Sequence, residues 1–374
     1  MKLMDYLSWQ EVNSDNLNFY KALGVDYLMV HVPAELADGT DRTEEFRQLK
    51  RTVENHGLQL YTLHSGGLPR DQIVYGRSGR EKQVENWIEV LRAIGRAGVP
   101  TTATTFYAIS HFRTPSSKGR GNAQYSTFVY DELMKDPPKY PGQEISEAQI
   151  WESIEWFLRR VIPVAEEAGV RIALHPDDPP IPDPLGGAAR IVTSIPNYQR
   201  IFDLAPSPSN GMLFCQGCVS EMGEDVFRAI RYMAQRDKIV FVHFRNIRGG
   251  SYNFQEVFID EGQVDMIAAM QTYRDAGYRG AFMMDHTPGI PHSSGGWAGR
   301  AYANGYIKAL IQMVYGRNAD MIAAMQTYRD AGYRGAFMMD HTPGIPHSSG
   351  GWAGRAYANG YIKALIQMIY GRNA

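Results

Sequence analysis

Residues 147–175 read EAQIWESIEWFLRRVIPVAEEAGVRIALH, and this segment is the clearest indication of the fold class. Its first part places apolar residues at helical spacing up to residue 168, and Gly169 follows as a helix stop. The last five residues, from Arg171 to His175, form a short run that is typical of a buried strand. The stretch therefore predicts a helix that leads through a glycine into a strand.

This alternation of strand and helix recurs along the chain and ends near residue 316. Strands are predicted at 2–7, 27–32, 58–63, 101–107, 171–175, 211–215, 239–243 and 281–284. Eight such units in about 315 residues indicate an α/β fold, a (β/α)8 TIM barrel. A doubly wound open sheet is the alternative, but Ser8-Trp9-Gln10-Glu11 stands where such sheets often carry a glycine-rich phosphate loop.

One long connection interrupts the alternation. Residues 108–146 are rich in Pro, Ser and Gly and show no clear periodicity. A connection of this length in a compact protein is usually functional or mobile.

The end of the chain is a tandem duplication. Residues 265–319 and 320–374 have the same sequence except for Val314 against Ile369. We therefore predict a catalytic barrel at 1–319 and a surplus helix-strand-helix copy at 320–374. Because the first copy needs no looped-out segment, we expect Asp285 and His286, rather than Asp340 and His341, to serve the barrel. The extra copy could pack on the barrel, pair with another subunit or stay disordered.

Composition narrows the class of protein. The 374 residues are 44% hydrophobic and 21% charged, with 38 Lys+Arg against 40 Asp+Glu. The lack of a basic excess argues against a nucleic-acid partner, and no apolar stretch approaches the length of a membrane span. Two cysteines and the absence of a signal-peptide pattern at the start predict a cytoplasmic protein.

Four successive predicted strands end in a residue that can bind a metal ion. These residues are His175, Cys215, His243 and Asp285. Side chains alternate along a strand, so the positions that would then face the helices are Ile172, Leu174, Met212, Phe214, Val240, Val242, Phe282 and Met284, all of them apolar. This alternation places the four polar side chains in the mouth of the barrel, where TIM-barrel active sites lie.

Nitrogen, sulfur and oxygen ligands together favour a borderline transition ion such as Mn, Fe, Co or Zn over Mg or Ca. Taken singly, each of the four residues also has a structural explanation. Cys215 and Cys218 form a C-x-x-C motif, but no second such pair exists in the sequence, so we expect Cys218 to be structural.

Other polar residues flank these strand ends. In His175-Pro-Asp-Asp-Pro-Pro180, an acid such as Asp178 could orient a ligating imidazole. Arg245 and Asn246 could hold an anionic substrate. His286 is a candidate general acid or base. The remaining candidates for the pocket wall are Arg113 of the long connection and the strand-end residues His31 and His64.

Four strings resemble the mannonate dehydratase family, which belongs to the xylose-isomerase-like barrels. They are His175-Pro-Asp-Asp-Pro-Pro, Phe214-Cys215-x-Gly217, His243-Phe-Arg-Asn246 and Asp260-Glu-Gly-Gln-Val-Asp265, and the resemblance covers roughly residues 1–316. It implies a metal-dependent lyase of hexuronate catabolism that dehydrates D-mannonate to 2-keto-3-deoxy-D-gluconate, with Mn²⁺ or Fe²⁺ as cofactor.

The resemblance also implies roles for residues. His175, Cys215, His243 and Asp285 would be the metal ligands, and His286 the acid or base beside them. From their positions beside the strand ends, we further predict that Arg245 and Asp178 act with His286 in catalysis. A tyrosine follows the Asp-His pair in the family, and Tyr302, the nearest one here, is a candidate for substrate contact. His64 stands where the family tends to have Glu.

Two other functions stay open at this point. One is a metal-dependent sugar isomerase or epimerase on the same type of barrel, although such enzymes tend to use more carboxylate ligands. The other is an inactive metal-binding barrel. In every case we expect a small-molecule partner, with a sugar acid as the first choice, and a homo-oligomer.

Overall fold

The eight predicted strands close into a parallel barrel. The computed structural model describes residues 1–316, 320–345, 347–349 and 351–371. The strands of these residues are β1 (Lys2–Leu7), β2 (Tyr27–His31), β3 (Gln59–His64), β4 (Thr101–Thr104), β5 (Thr114–Lys118), β6 (Gln124–Val129), β7 (Arg171–Leu174), β8 (Asn210–Cys215), β9 (Ile239–His243), β10 (Asn246–Gly250), β11 (Asn253–Val257) and β12 (Ala281–Met283). The barrel order is β1-β12-β9-β8-β7-β4-β3-β2, which confirms the predicted TIM barrel.

Helices surround the barrel, and those before β12 lie in the connections between strands. They are α1 (Ser14–Ala22), α2 (Thr43–Asn55), α3 (Asp71–Val74), α4 (Arg80–Arg96), α5 (Tyr130–Leu133), α6 (Glu147–Glu167), α7 (Ile195–Leu204), α8 (Gln216–Glu221), α9 (Val226–Ala234), α10 (Met266–Asp275), α11 (Gly295–Val314), α12 (Asp320–Asp330) and α13 (Gly351–Tyr370). Short 3₁₀ turns lie at Trp9–Glu11, Ala34–Leu36 and Arg120–Asn122. We find no helix among the described residues with the length and apolarity to cross a lipid bilayer.

Helix α6 begins and ends at the residues that its sequence predicts. Ser146 and Gln149 form a capping box at the start of α6, in which each side chain bonds to the backbone of the other. Gly169 follows the helix with a φ of 66°, a left-handed conformation that favours glycine. The chain then enters β7 and reaches the mouth of the barrel.

Two apolar layers hold the barrel. The larger cluster lies between the strands and the helices, and seven of the eight positions predicted to face the helices belong to it. The prediction for Val240 is wrong. The pairing of β8 with β9 shifts between Met212 and Leu213, so β9 carries one extra residue there, and Val240 joins Phe241 in the cluster inside the barrel.

A second sheet, absent from the sequence prediction, covers the barrel. Its antiparallel order is β10-β11-β6-β5, and it pairs the long connection at 108–146 with the segment after β9. The connection at 108–146 therefore contains two strands, β5 and β6, that its sequence does not predict. β5 is short, mostly exposed and rich in Ser, so its sequence carries no strand signal.

The first copy of the duplicated segment supplies β12, which pairs with β1 and β9. In the second copy, α12 and α13 form, but residues 336–339 are not a strand, so the predicted helix-strand-helix is wrong at its centre. A strand needs a partner edge, and the closed barrel offers none. Local packing is nevertheless repeated. In the first copy the rings of Tyr273, Tyr278 and Phe282 contact one another, and in the second copy the rings of Tyr328, Tyr333 and Phe337 make the same contacts.

The two copies offer a matched test of which one forms the core. Phe282 is 0% exposed, whereas Phe337 is half-buried. We expect Phe282→Ala to lower the free energy of unfolding by about 3–5 kcal/mol, because it leaves a cavity in the core. Phe337→Ala should cost less than about 1 kcal/mol. Urea denaturation followed by circular dichroism measures both, and an equal loss would contradict the assignment of the first copy to the barrel.

Candidate active site

The four predicted metal ligands meet at the carboxyl ends of four neighbouring strands. Cys215 and His243 end β8 and β9 and lie opposite each other in the register. His175 follows β7 directly, and Asp285 lies just after β12. Ligand atoms of Cys215, His243 and Asp285 all lie within 4.8 Å of one another, as do those of His175, Cys215 and Cys218. The Cys215 thiol therefore joins two groups of possible ligands.

The donor atoms of this cluster suit a cation. Both ring nitrogens of His243 are buried without a hydrogen-bond partner, although Nδ1 is 3.3 Å from Asp285 Oδ1. His175 Nδ1 lies 2.7 Å from the carbonyl oxygen of Pro176. A carbonyl can only accept, so Nδ1 must donate, which leaves Nε2 with its lone pair for a metal.

Electrostatics at the cluster favour a positive charge. Burial opposes ionisation of the Cys215 thiol, but the Cys218 thiol and the Arg245 guanidinium bring its pKa well below the ordinary value. Burial likewise opposes protonation of His243, yet the Asp285 carboxylate and Cys215 raise its pKa to about 9. A thiolate is the form of cysteine that binds metals.

The backbone of Asp285 is strained. Its φ is 68°, in the left-handed region that costs a residue with a Cβ atom of order 1 kcal/mol. Asp340, its counterpart in the second copy, does not have a positive φ, and its side chain is 91% exposed. The same Asp-His sequence thus adopts the strained conformation only where the barrel surrounds it.

His286 lies between two carboxylates. Its Nε2 is 3.3 Å from Asp285 Oδ2 and its Nδ1 is 3.4 Å from Glu256 Oε2. The side chain is 39% exposed, so it borders both the proposed ligand and the open mouth of the barrel. This position is suitable for a group that exchanges protons with a bound molecule.

Arg245 is a buried cross-link between acids rather than a free cation. Its Nε is 3.2 Å from Asp285 Oδ2, its Nη1 is 2.9 Å from Glu221 Oε1, and its Nη2 is 3.6 Å from Asp178 Oδ2. Arg113 closes the network with 2.7 Å to Asp178 and 2.6 Å to Glu256. Both arginines are therefore occupied by protein carboxylates, and the predicted grip of either one on an anionic substrate is not favoured by the geometry.

Two predicted substrate contacts have other partners. The Asn246 side chain donates to the carbonyls of Ile259 and Val264 and accepts from the amides of Ile247 and Val264. These four bonds fix the turn around β10 and leave the amide no atom for a ligand. Tyr302, on α11, lies against Phe258 and beneath Arg120, with ring distances of 6.3 and 5.8 Å.

The opposite wall of the mouth carries neutral rings. The centroids of His31 and His64 are 4.6 Å apart, and Tyr6 lies 5.5 Å from His31. Burial lowers the pKa of both histidines, that of His64 well below its usual value. The Gly66 amide donates to His64 Nδ1, so Nε2 carries the proton of the neutral ring.

Sequence reasoning missed Glu256, Glu221 and Tyr6. Glu256 lies on β11 of the covering sheet, which was not predicted. Tyr6 is the penultimate residue of β1, and the strand-end argument that found His175 could have found it. Glu221 ends α8, and its only sequence signal is a single acid in an apolar stretch.

Comparisons of the whole chain with known proteins identify several relatives. The family model described as D-mannonate dehydratase (UxuA) matches residues 131–318. Mannonate dehydratases of Streptococcus equi subsp. zooepidemicus and Thermotoga petrophila are 30% and 32% identical, over 65% of this chain and 74% and 77% of theirs. The crystal structure of mannonate dehydratase from Streptococcus suis serotype 2 matches with a TM-score of 0.75 and 25% identity, over 92% of this chain and 99% of that one.

A more distant match bears on the fold alone. A xylose isomerase domain protein from Planctomyces limnophilus has a TM-score of 0.55 at 14% identity, over 84% of this chain and 98% of that one. This likeness agrees with the closed barrel and says nothing of the chemistry.

The duplicated Asp-His pair gives a matched test of the metal ligands. We expect Asp285→Ala to lower the metal content of protein loaded with Mn²⁺ and dialysed, because one of four ligands is lost. Asp340→Ala should retain the metal content of the wild type. Elemental analysis measures both, and loss of metal only in the Asp340 variant would reverse the assignment.

Proposed function

The chain belongs to the mannonate dehydratase family, and we propose that it is a hydro-lyase that converts D-mannonate to 2-keto-3-deoxy-D-gluconate and water. One observation carries this proposal for the site: two groups of possible ligands that share Cys215, one with His175 and one with His243 and Asp285, lie at the ends of four neighbouring strands, with His286 beside Asp285. This reaction would be a step of hexuronate catabolism.

We assign the cofactor to this convergence. His175, Cys215, His243 and Asp285 would hold a divalent ion, and the mixture of nitrogen, sulfur and oxygen donors favours Mn²⁺ or Fe²⁺. When bound, the ion would supply positive charge that stabilises the negative charge developing on the substrate carboxylate side. Cys218, whose Sγ is 3.2 Å from Arg245 Nη2, would stay a neighbour of the ligands rather than a ligand.

The dehydration needs two proton transfers. A base removes the proton at C2, the C2–C3 double bond forms, and the C3 hydroxyl leaves with a proton from an acid as water. The resulting enol then takes its keto form. We assign one of these transfers to His286, because it is the partly exposed imidazole beside the proposed ligand Asp285.

Arg245 and Asp178 act, in this proposal, as positioning residues. Arg245 contacts Asp285 Oδ2 and is itself held by Glu221 and Asp178. Charge-assisted contacts of this kind fix the orientation of a ligating carboxylate. Glu256 has the same relation to His286, since it contacts the ring nitrogen that faces away from Asp285.

The sugar chain would meet the wall formed by Tyr6, His31 and His64. Neutral imidazoles and a phenol can donate and accept hydrogen bonds, which suits the hydroxyl groups of a polyol. Burial raises the pKa of Tyr6, so its hydroxyl keeps its proton at neutral pH. The substrate would thus lie with its carboxylate toward the ligands and its hydroxyls toward this wall.

His286→Ala tests the proton-transfer role. We expect the variant to keep its metal but to lose about 10²–10⁴-fold in turnover of mannonate, the usual contribution of a positioned acid or base. His341→Ala is the matched control and should be unchanged, because His341 is an exposed residue of the second copy. Normal turnover in the His286 variant would remove it from the mechanism.

The substrate class has its own test. Purified protein loaded with Mn²⁺ should form a 2-keto-3-deoxy acid from D-mannonate, detected with semicarbazide, and should leave neutral aldoses unchanged. Interconversion of neutral sugars would instead favour an isomerase or epimerase. Metal binding without turnover of any sugar acid would favour an inactive barrel.

A further inference from the structure

The two copies of the duplicated segment pack on each other through the same helix. α11 and α13 have the same sequence apart from Val314 and Ile369, and they cross so closely that glycines are required. A Cβ atom on Gly305 would lie 2.1 Å from the carbonyl oxygen of Tyr357, and one on Gly360 would lie 2.0 Å from that of Tyr302. Gly360 is the repeat of Gly305 and Tyr357 the repeat of Tyr302, so each contact is the image of the other.

Two further pairs of contacts show the same reciprocity. The Tyr306 hydroxyl lies 2.6 Å from Gln367 Oε1, and the Tyr361 hydroxyl bonds to Gln312, its image in the repeat. The rings of His292 and Trp352 are 4.8 Å apart, and those of His347 and Trp297 are 4.5 Å apart.

Such paired contacts define a local twofold axis between the copies. In an interface with twofold symmetry, residue i of one unit contacts residue j of the other, and j contacts i. The close contacts at Gly305 and Gly360, the tyrosine–glutamine hydrogen bonds and the histidine–tryptophan contacts all follow that rule here. Two identical segments of different chains would make the same set of contacts.

In the second copy, α13 contacts α11 through the face that carries Gly360. The face of α11 that packs on the barrel is a different one. Ala303 and Ile307 of α11 are buried in the core between strands and helices. Their repeats, Ala358 and Ile362 of α13, line a cavity of about 640 Å³, and Met338 beside them is 85% exposed. The apolar surface that copy 1 buries against the barrel is thus only half-buried in copy 2.

We propose that the outer face of α11 is a homotypic twofold interface, whose natural partner is the same helix of a second copy of the barrel, and that α13 occupies it within the chain. The second copy thereby replaces one subunit contact and blocks association through α11. This inference does not depend on the reaction that the barrel catalyses.

Displacement of α13 in the full chain tests the proposal. Gly360→Leu places a side chain against the Tyr302 carbonyl, so it should release α13 from α11 and leave the α13 amides less protected. We expect the mass measured by sedimentation velocity to double relative to the wild type, because α11 can then pair with α11 of a second chain. Gly351→Leu is the matched control, since a Cβ atom there meets nothing within 4 Å, and it should keep the wild-type mass.

A second variant shows which face associates. Gly305→Leu combined with Gly360→Leu places a side chain at both close contacts. This double variant should have the wild-type mass. If this double variant is unfolded by circular dichroism, Tyr306→Phe and Gln312→Ala combined with Gly360→Leu remove the reciprocal hydrogen bonds of α11 without added volume and should weaken the dimer.

Hydrogen exchange of the α13 amides is measured alongside the mass. The proposal is overturned if Gly360→Leu keeps the wild-type mass, if α13 amides exchange no faster than in the wild type, or if the doubled mass persists when the α11 contacts are removed.

Discussion

The proposed chemistry depends on the convergence of lone-pair donors at the carboxyl end of the barrel. The register of β8 with β9 sets Cys215 beside His243, and β12 brings Asp285 to the same level. Close packing of a thiolate, a carboxylate and imidazoles is unfavourable unless a positive charge lies among them. The buried guanidinium of Arg245 and its partners Glu221 and Asp178 fix the carboxylate from behind, so the cluster is held on both sides.

Much of this arrangement could be predicted from the sequence because it follows from periodicity. Eight strand-helix units specify the barrel, and the alternation of apolar and polar residues specifies which strand-end side chains enter the mouth. The same reasoning failed where a local irregularity or a distant partner decides the outcome. The extra residue in β9 moves Val240 inward, and β6 pairs with β11, which follows it by more than a hundred residues, while β5, among the described strands, pairs only with β6. Glu256 could not be assigned to the site without that sheet.

The duplication separates local from tertiary causes of structure. Tyr328, Tyr333 and Phe337 repeat the ring contacts of the first copy, so short-range sequence suffices for these. The strand and the positive φ of Asp285 occur only once, because they need the open edge and the charged neighbours that the barrel provides. The glycine-bearing faces of α11 and α13 pack on each other because the two helices have nearly the same sequence and this face is self-complementary.

The central claim is that Cys215 and its neighbours bind one ion, and X-ray absorption at the metal edge of the loaded protein tests it most directly. We expect one sulfur neighbour together with nitrogen and oxygen neighbours, with loss of the sulfur in Cys215→Ser and its retention in Cys218→Ser. A spectrum with nitrogen and oxygen neighbours alone, or a sulfur that survives Cys215→Ser, would contradict it.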